Sequence, residues 1–243
     1  MKNVLIYINP RKDFDELTKI LAKVQVDNML YFGWKKEDII LVTNFPYEYS
    51  GVKAIIAPDN LYYPFDYTLA KITGIDFLFE QGLISDEIYF CHDFDHYQLE
   101  SIAESEIKRK LGKADMGATD YGRMPRWHLS CIFFKKSAGD IFKLLIETVI
   151  KLQDHNEEDT LLMLTENNTN GIKKRVKRLN ITYNFWGGNI RSTYPMAEKP
   201  IKCVHFSPEY RDRLDFFMYG RNKIGKVLID ERLIKLFNKY GIQ

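Results

Sequence analysis

The chain has little cysteine, little proline and no long apolar run. Its three cysteines, Cys91, Cys131 and Cys203, are widely spaced and odd in number. They offer no disulfide framework and no zinc-ligand spacing, which points to a reducing compartment and to buried, inert thiols. Eight prolines and fourteen glycines among 243 residues form no linker, low-complexity tract or internal repeat. No stretch approaches the roughly 20 apolar residues of a membrane span. Met1-Lys2-Asn3 leads only into a short apolar run and Asn9-Pro10, unlike a secretory leader; a soluble, cytoplasmic protein is expected. Excess charge is missing too. Thirty-five Lys and Arg against 33 Asp and Glu give a net +2, so bulk charge alone gives no indication of nucleic acid as a partner.

What is present is apolar material, 45% of residues, with 14% aromatics, enough for one large domain or a domain with an appendage. Short apolar runs at 4–8, 39–42, 52–57 and 88–91 read as strands. Between them, segments 13–34 and 67–82 carry apolar residues at helical spacing, and Asp13 with Glu16 supplies a capping-box-like start. Strands alternating with helices predict an α/β fold with a Rossmann-like, mostly parallel sheet flanked by helices. The second half is less regular. Strands are expected at 115–119, 128–134, 181–185 and 202–206, and helices at 138–152, 159–165 and 230–240.

Asp93-Phe94-Asp95 follows the fourth strand. Alternate residues of an extended chain point the same way, so the two carboxylates can aim at one point. Hard oxygen ligands there suit Mg²⁺ or Mn²⁺. In open α/β sheets ligands bind outside the carboxyl ends of strands, where this triplet sits. His92 and His96 flank it as pocket lining or surface.

The order of motifs resembles the GT-A glycosyltransferases, most closely the retaining enzymes of glycosyltransferase family 8. Four places carry the resemblance: Tyr67-Thr68-Leu69-Ala70-Lys71 leading into the Asp93-Phe94-Asp95 strand; the segment from Trp127 to Lys136; Glu157-Glu158-Asp159-Thr160-Leu161 followed by Ile181-Thr182-Tyr183-Asn184-Phe185; and Val204-His205-Phe206-Ser207. The family's Gly and Lys-Pro-Trp after its His-Phe segment are absent, and Glu158 stands where the family usually has Gln. The resemblance implies a GT-A domain over 1–208 with a small, basic C-terminal helical extension over 209–243.

It also implies site residues. Asp93, Asp95 and His205 would hold the metal, Mn²⁺ or Mg²⁺, with Asp93 also on the donor ribose. Ile8, Asn9 and Asn44, at strand ends, would meet the nucleotide base, and Lys71 the donor's sugar or phosphate. Arg211, Arg221 and Lys223 belong to a basic segment that could close over the diphosphate. Glu158 and Asp159 would contact the transferred sugar or the acceptor hydroxyl, although acidic residues at a helix start are also what the dipole favours. Trp127, His128 and Trp186 are candidates for the acceptor site, the tryptophans equally for the core.

The implied activity is metal-dependent transfer of a sugar from a nucleotide-diphosphate donor, a UDP-sugar foremost, to an acceptor hydroxyl with retention. The acceptor is open between a saccharide, lipid or protein and a hydroxylated DNA base, as in viral DNA-modifying transferases; only the run Lys173-Lys174-Arg175-Val176-Lys177-Arg178 favours DNA. A metal-dependent phosphohydrolase or nuclease is a rival, since two carboxylates and a histidine also suit phosphoryl chemistry. An inactive nucleotide-binding module is another.

Overall fold

The computed structural model describes residues 1–122, 125–153, 155–186, 190–206 and 229–242. Among them, β1 (Lys2–Tyr7), β2 (Ile39–Thr43), β5 (Ile55–Ile56), β6 (Tyr89–His92), β8 (Met116–Asp120), β9 (Trp127–Phe134) and β10 (Val176–Arg178) form one sheet of seven strands. Their order is β10-β8-β9-β6-β1-β2-β5. All neighbours pair in parallel except at β9, which runs against both β8 and β6. The central strands carry near-continuous apolar runs because both faces are covered: Val4, Leu5, Phe90, Cys91, Ile132 and Phe133 are wholly buried.

On one face lie α2 (Leu69–Glu80), α4 (Gly139–Leu152) and α5 (Glu157–Glu166). Gly74 lets α2 approach β1 closely; a Cβ there would meet Ile6 Cγ2 at 2.5 Å. The other face carries α1 (Glu16–Tyr31) and a small sheet, β11 (Phe185–Trp186), β12 (Cys203–His205) and β7 (His96–Gln98). The last helix, Glu231–Lys239, joins this same core through Leu233 and Phe237. Its Arg232 donates to Asn28 Oδ1 of α1 (2.6 Å) and to the Gln98 carbonyl (3.2 Å).

Several elements differ from the sequence reading. Helix α1 starts later, because Asp15 rather than Asp13 is the cap: its Oδ1 accepts from Thr18 N at 2.8 Å. The run 52–57 is broken into β4 (Val52–Lys53), paired with β3 (Glu48–Tyr49), and β5, with Ala54 N turned to the Tyr47 carbonyl between them. Residues 181–185 are not one strand. Asn180 Oδ1 accepts from Thr182 N (2.9 Å), an Asx turn that starts a 3₁₀ turn over Ile181–Tyr183. Strand β7, helix α3 (Glu104–Leu111) and strand β10 lie in segments for which no element was expected.

Candidate metal centre and its cleft

Strand order reverses at β1, with β2 on one side and β6 on the other. The carboxyl ends of β1 and β6 therefore open onto the crevice where an open α/β sheet binds ligands. A cleft of about 900 Å³ lies there, lined by Ile8, Asn9, Lys71, Asp93, Asp95 and His205 among others.

Asp93 and Asp95 sit on the turn between β6 and β7, and three backbone contacts fix it. Asp93 N donates to the Ser130 carbonyl (3.0 Å), Phe206 N to the Asp95 carbonyl (3.0 Å), and His96 N back to the Asp93 carbonyl (3.3 Å). His205 reaches the turn because β12 pairs antiparallel with β7, placing His205 opposite His96. One ligand atom from each of Asp93, Asp95 and His205 falls within 4.8 Å of the others. Two carboxylate oxygens and an imidazole nitrogen make a donor set for Mn²⁺ or Mg²⁺.

The surroundings fit a cation. His205 Nε2 is 3.2 Å from Asp95 Oδ1, and its Nδ1 is 3.1 Å from Ser130 Oγ. Ser130 Oγ accepts from Asn184 Nδ2 at 2.8 Å. With Nδ1–H donated to Ser130, Nε2 is left for a metal, the outer-shell arrangement that orients ligating histidines. Burial pulls the His205 imidazole down, but the Asp95 charge and hydrogen bond more than offset this, and it sits above its ordinary value. Burial likewise pushes the Asp95 carboxyl up, and His205 more than reverses the effect. Lys71, in the first turn of α2, places Nζ 2.7 Å from Asp93 Oδ1. Burial opposes its charge, yet Asp93 and Glu157 hold the ammonium above its usual range.

One irregularity of the sheet builds the cleft wall. Pairing of β8 with β9 jumps from Ala118↔Ile132 to Thr119↔His128, leaving residues 129–131 out of that ladder. Such bulges re-aim side chains and release backbone groups. Here the freed Leu129 N–H donates to Glu158 Oε1 (2.9 Å), while the Ser130 carbonyl, on the β6 side of β9, takes the Asp93 N–H. His128 and Ser130 turn into the cleft. His128 stacks on Tyr121, with ring centroids 4.0 Å apart and 14° between planes. Burial holds its imidazole well below the usual value.

Glu157 and Glu158 open α5 after the cap Asn156, whose Oδ1 accepts from Asp159 N (2.9 Å). Both carboxyls are buried and pushed up by burial. Glu158 Oε2 accepts from Tyr121 Oη (2.8 Å), and Arg126 bridges Glu158 and Asp159 at 3.7 and 3.0 Å. Thr68 ties Glu157 to the start of α2.

The structure brings together in the cleft Ile8, Asn9, Lys71, Asp93, Asp95, His128, Glu158 and His205. Asn44 stands behind: its side chain accepts from Asn9 N (3.0 Å) and donates to the Asn9 carbonyl (2.9 Å), so it shapes the β1 end. Asn9's own amide is engaged by Tyr7 Oη (2.7 Å) and Arg11 N (2.9 Å), which makes it an organiser of that loop. Asp159 is drawn to Arg126 at the wall. Trp127 lies away from the cleft: it is 4% exposed, donates to Thr165 Oγ1 and carries Arg178 over its ring. Trp186 backs the wall, edge-on to Tyr121 at 5.5 Å. Arg211, Arg221 and Lys223 lie outside the described residues. Sequence reasoning missed Ser130, Tyr121, Arg126 and Gln25. Buried Gln25 donates from Nε2 to the Phe94 and His96 carbonyls (2.7 and 2.9 Å), holding the Asp93–Asp95 turn onto α1. A polar residue inside an apolar helical stripe was the available signal.

The chain matches no protein-family model and no curated protein. Solved structures do match. A galactosyltransferase, LgtC, in complex with donor and acceptor sugar analogs superposes with TM-score 0.61 at 14% identity, covering 98% of this chain and 96% of that one. A glycosyltransferase involved in glycosylation of the major capsid of PBCV-1 gives 0.59 at 13%, over 88% and 98%. The glycosyltransferase GlyE of Streptococcus pneumoniae TIGR4 gives 0.60 at 15%, over 98% of this chain and 63% of that one. These neighbours are GT-A glycosyltransferases, and the fold of this chain is theirs: a mixed α/β unit with a central, mostly parallel sheet and flanking helices.

Proposed function

We propose that the protein is a metal-dependent glycosyltransferase that moves a sugar from a nucleotide-diphosphate donor, a UDP-sugar foremost, to an acceptor hydroxyl with retention of configuration. The observation that carries this reading is the convergence of Asp93, Asp95 and His205, within 4.8 Å, at the carboxyl end of β6. The motif order resembles that of family 8 enzymes, and the GT-A fold of the neighbours supports the reading. A bound Mn²⁺ or Mg²⁺ would stabilise negative charge on the departing diphosphate. Lys71, beside Asp93, adds fixed positive charge to the same place. Ile8 and Asn9, with Asn44 behind, form the end of the cleft assigned to the base. Glu158, held by Tyr121, Leu129 and Arg126, and Asp159, held by Arg126, bound the side assigned to the transferred sugar. Both carboxyls are engaged by donors, so front-face attack by the acceptor hydroxyl, with the leaving phosphate as base, is the fitting route to retention. His128 and Trp186 stand towards the acceptor; Arg211, Arg221 and Lys223 are assigned to the diphosphate.

Within the basic run 173–178, the two arginines are already held by carboxylates and lend a DNA acceptor little. Arg175 is engaged by Asp115 and Asp140 (2.6 and 2.5 Å), and Arg178 by Asp120 (2.9 Å). The reading is tested by incubating the protein with a panel of UDP-sugars and Mn²⁺ and measuring UDP release. Release that depends on Mn²⁺, stops with chelator and is lost in Asp93→Ala is expected. Equal release by Asp93→Ala, or release without any divalent ion, would refute it.

A further inference from the structure

The loop from Leu61 into α2 exposes aromatic surface beside the cleft. Phe65 is 44% exposed and Tyr67 75% exposed, while Tyr62 and Tyr67 line the cleft itself. Exposed aromatics gathered at a cleft mouth mark a contact surface more often than scattered apolar residues do. The loop is fixed in shape. Asp66 N donates to the Tyr63 carbonyl (3.1 Å), closing a turn with Pro64 at its second position, and Asp66 Oδ1 accepts from Thr68 N (3.0 Å). Tyr63 braces Phe65 at 5.6 Å between ring centroids. The rings are thus presented with little ordering left to do on binding.

Resting on the glycosyltransferase reading, we propose that Phe65 and Tyr67 form the platform for a pyranose ring of a saccharide acceptor. Three observations support this. The Tyr67 carbonyl accepts from Ala70 N (3.3 Å), so the platform begins about one helical turn before Lys71, whose Nζ is 2.7 Å from Asp93; a ring held there brings its hydroxyls towards the metal centre. A pyranose has an apolar C–H face for an aromatic ring and a polar rim for tyrosine hydroxyls, which Tyr62 and Tyr67 supply. The loop's one charge, Asp66, is negative and held in place by Thr68, so the platform offers no cation to an anionic acceptor.

The test is saturation-transfer NMR on the full chain with lactose, maltose, cellobiose and chitobiose, and with the peptide Gly-Ser-Gly-Thr-Gly as the competing class. At least one disaccharide should receive saturation on its ring C–H protons. The signal should fall about tenfold in Phe65→Ala/Tyr67→Ala, with the unfolding midpoint within a few degrees of wild type because both rings are exposed. No disaccharide signal, a signal unchanged in the double variant, or saturation of the peptide instead would overturn the platform. UDP-sugar turnover is read separately. Turnover absent with the disaccharide signal intact counts against sugar transfer alone; turnover present with no disaccharide signal counts against the platform alone.

Discussion

At the scale of single residues, the metal ligands depend on neighbours that are not ligands. Ser130 is the clearest case. Its Oγ faces His205 Nδ1 and is itself held by Asn184. Removing it leaves the imidazole free to turn and without the outer-shell partner that fixes its tautomer. Ser130→Ala should weaken Mn²⁺ binding about tenfold, the lower end of what lost outer-shell partners cost; unchanged affinity in a Mn²⁺ titration would show that Nδ1 has no need of it. Protons and metal also compete for His205. Its folded value is raised above 6.5 by Asp95, and only the deprotonated ring ligates. Mn²⁺ affinity should therefore rise with pH through that raised value and level off above it. An affinity flat between pH 6 and 8.5 would contradict the role of His205. The acidic pair was legible from its place after the fourth strand, but not from alternation: the two carboxylates converge on a turn between β6 and β7, closed by His96 N to the Asp93 carbonyl, rather than along an extended chain. Ser130 was not legible, because its role depends on which strand it faces.

Among elements, long periodic segments were readable and short ones were not. Strands β1, β2, β6 and β9 are buried on both faces, so continuous apolar runs announced them. Strand β10 is not: Lys177 and Arg178 are exposed, and its sequence reads as a charge run. Its Arg178 and the preceding Arg175 serve ion pairs to Asp120 and to Asp115 and Asp140, partners 35 to 60 residues away that no local pattern reveals. The bulge at 129–131 was equally hidden, since Leu129-Ser130-Cys131 contains no glycine to mark it. Gly117 in β8 is a different constraint. A Cβ there would stand 2.5 Å from Leu111 and 2.9 Å from Leu179, so α3 and the segment after β10 close over a position with no room. Gly117→Val should destabilise the fold by about 1–3 kcal/mol through overpacking, measured by denaturant unfolding. A wild-type midpoint would mean that α3 is not seated as described.

For the whole molecule, the topology does most of the positioning. Reversal of strand order at β1 opens one crevice, and every described candidate donor residue lies at or behind it. Residues 93 and 205 are far apart in sequence and meet only because β7 and β12 pair, a long-range contact that the motif order suggested and the local sequence could not specify. The boundary proposed at 208 and the basic segment assigned to the diphosphate remain proposals, although the last helix is seated in the core of the main domain. The central claim is that Asp93, Asp95 and His205 hold one divalent cation. It is tested most directly by a Mn²⁺ titration followed by electron paramagnetic resonance, comparing wild type with Asp95→Asn. One saturable Mn²⁺ per chain in the wild type, with affinity lower on the order of 100-fold or more in a folded Asp95→Asn, is the expected result; equal affinity in both proteins, or no saturable site in the wild type, would contradict it.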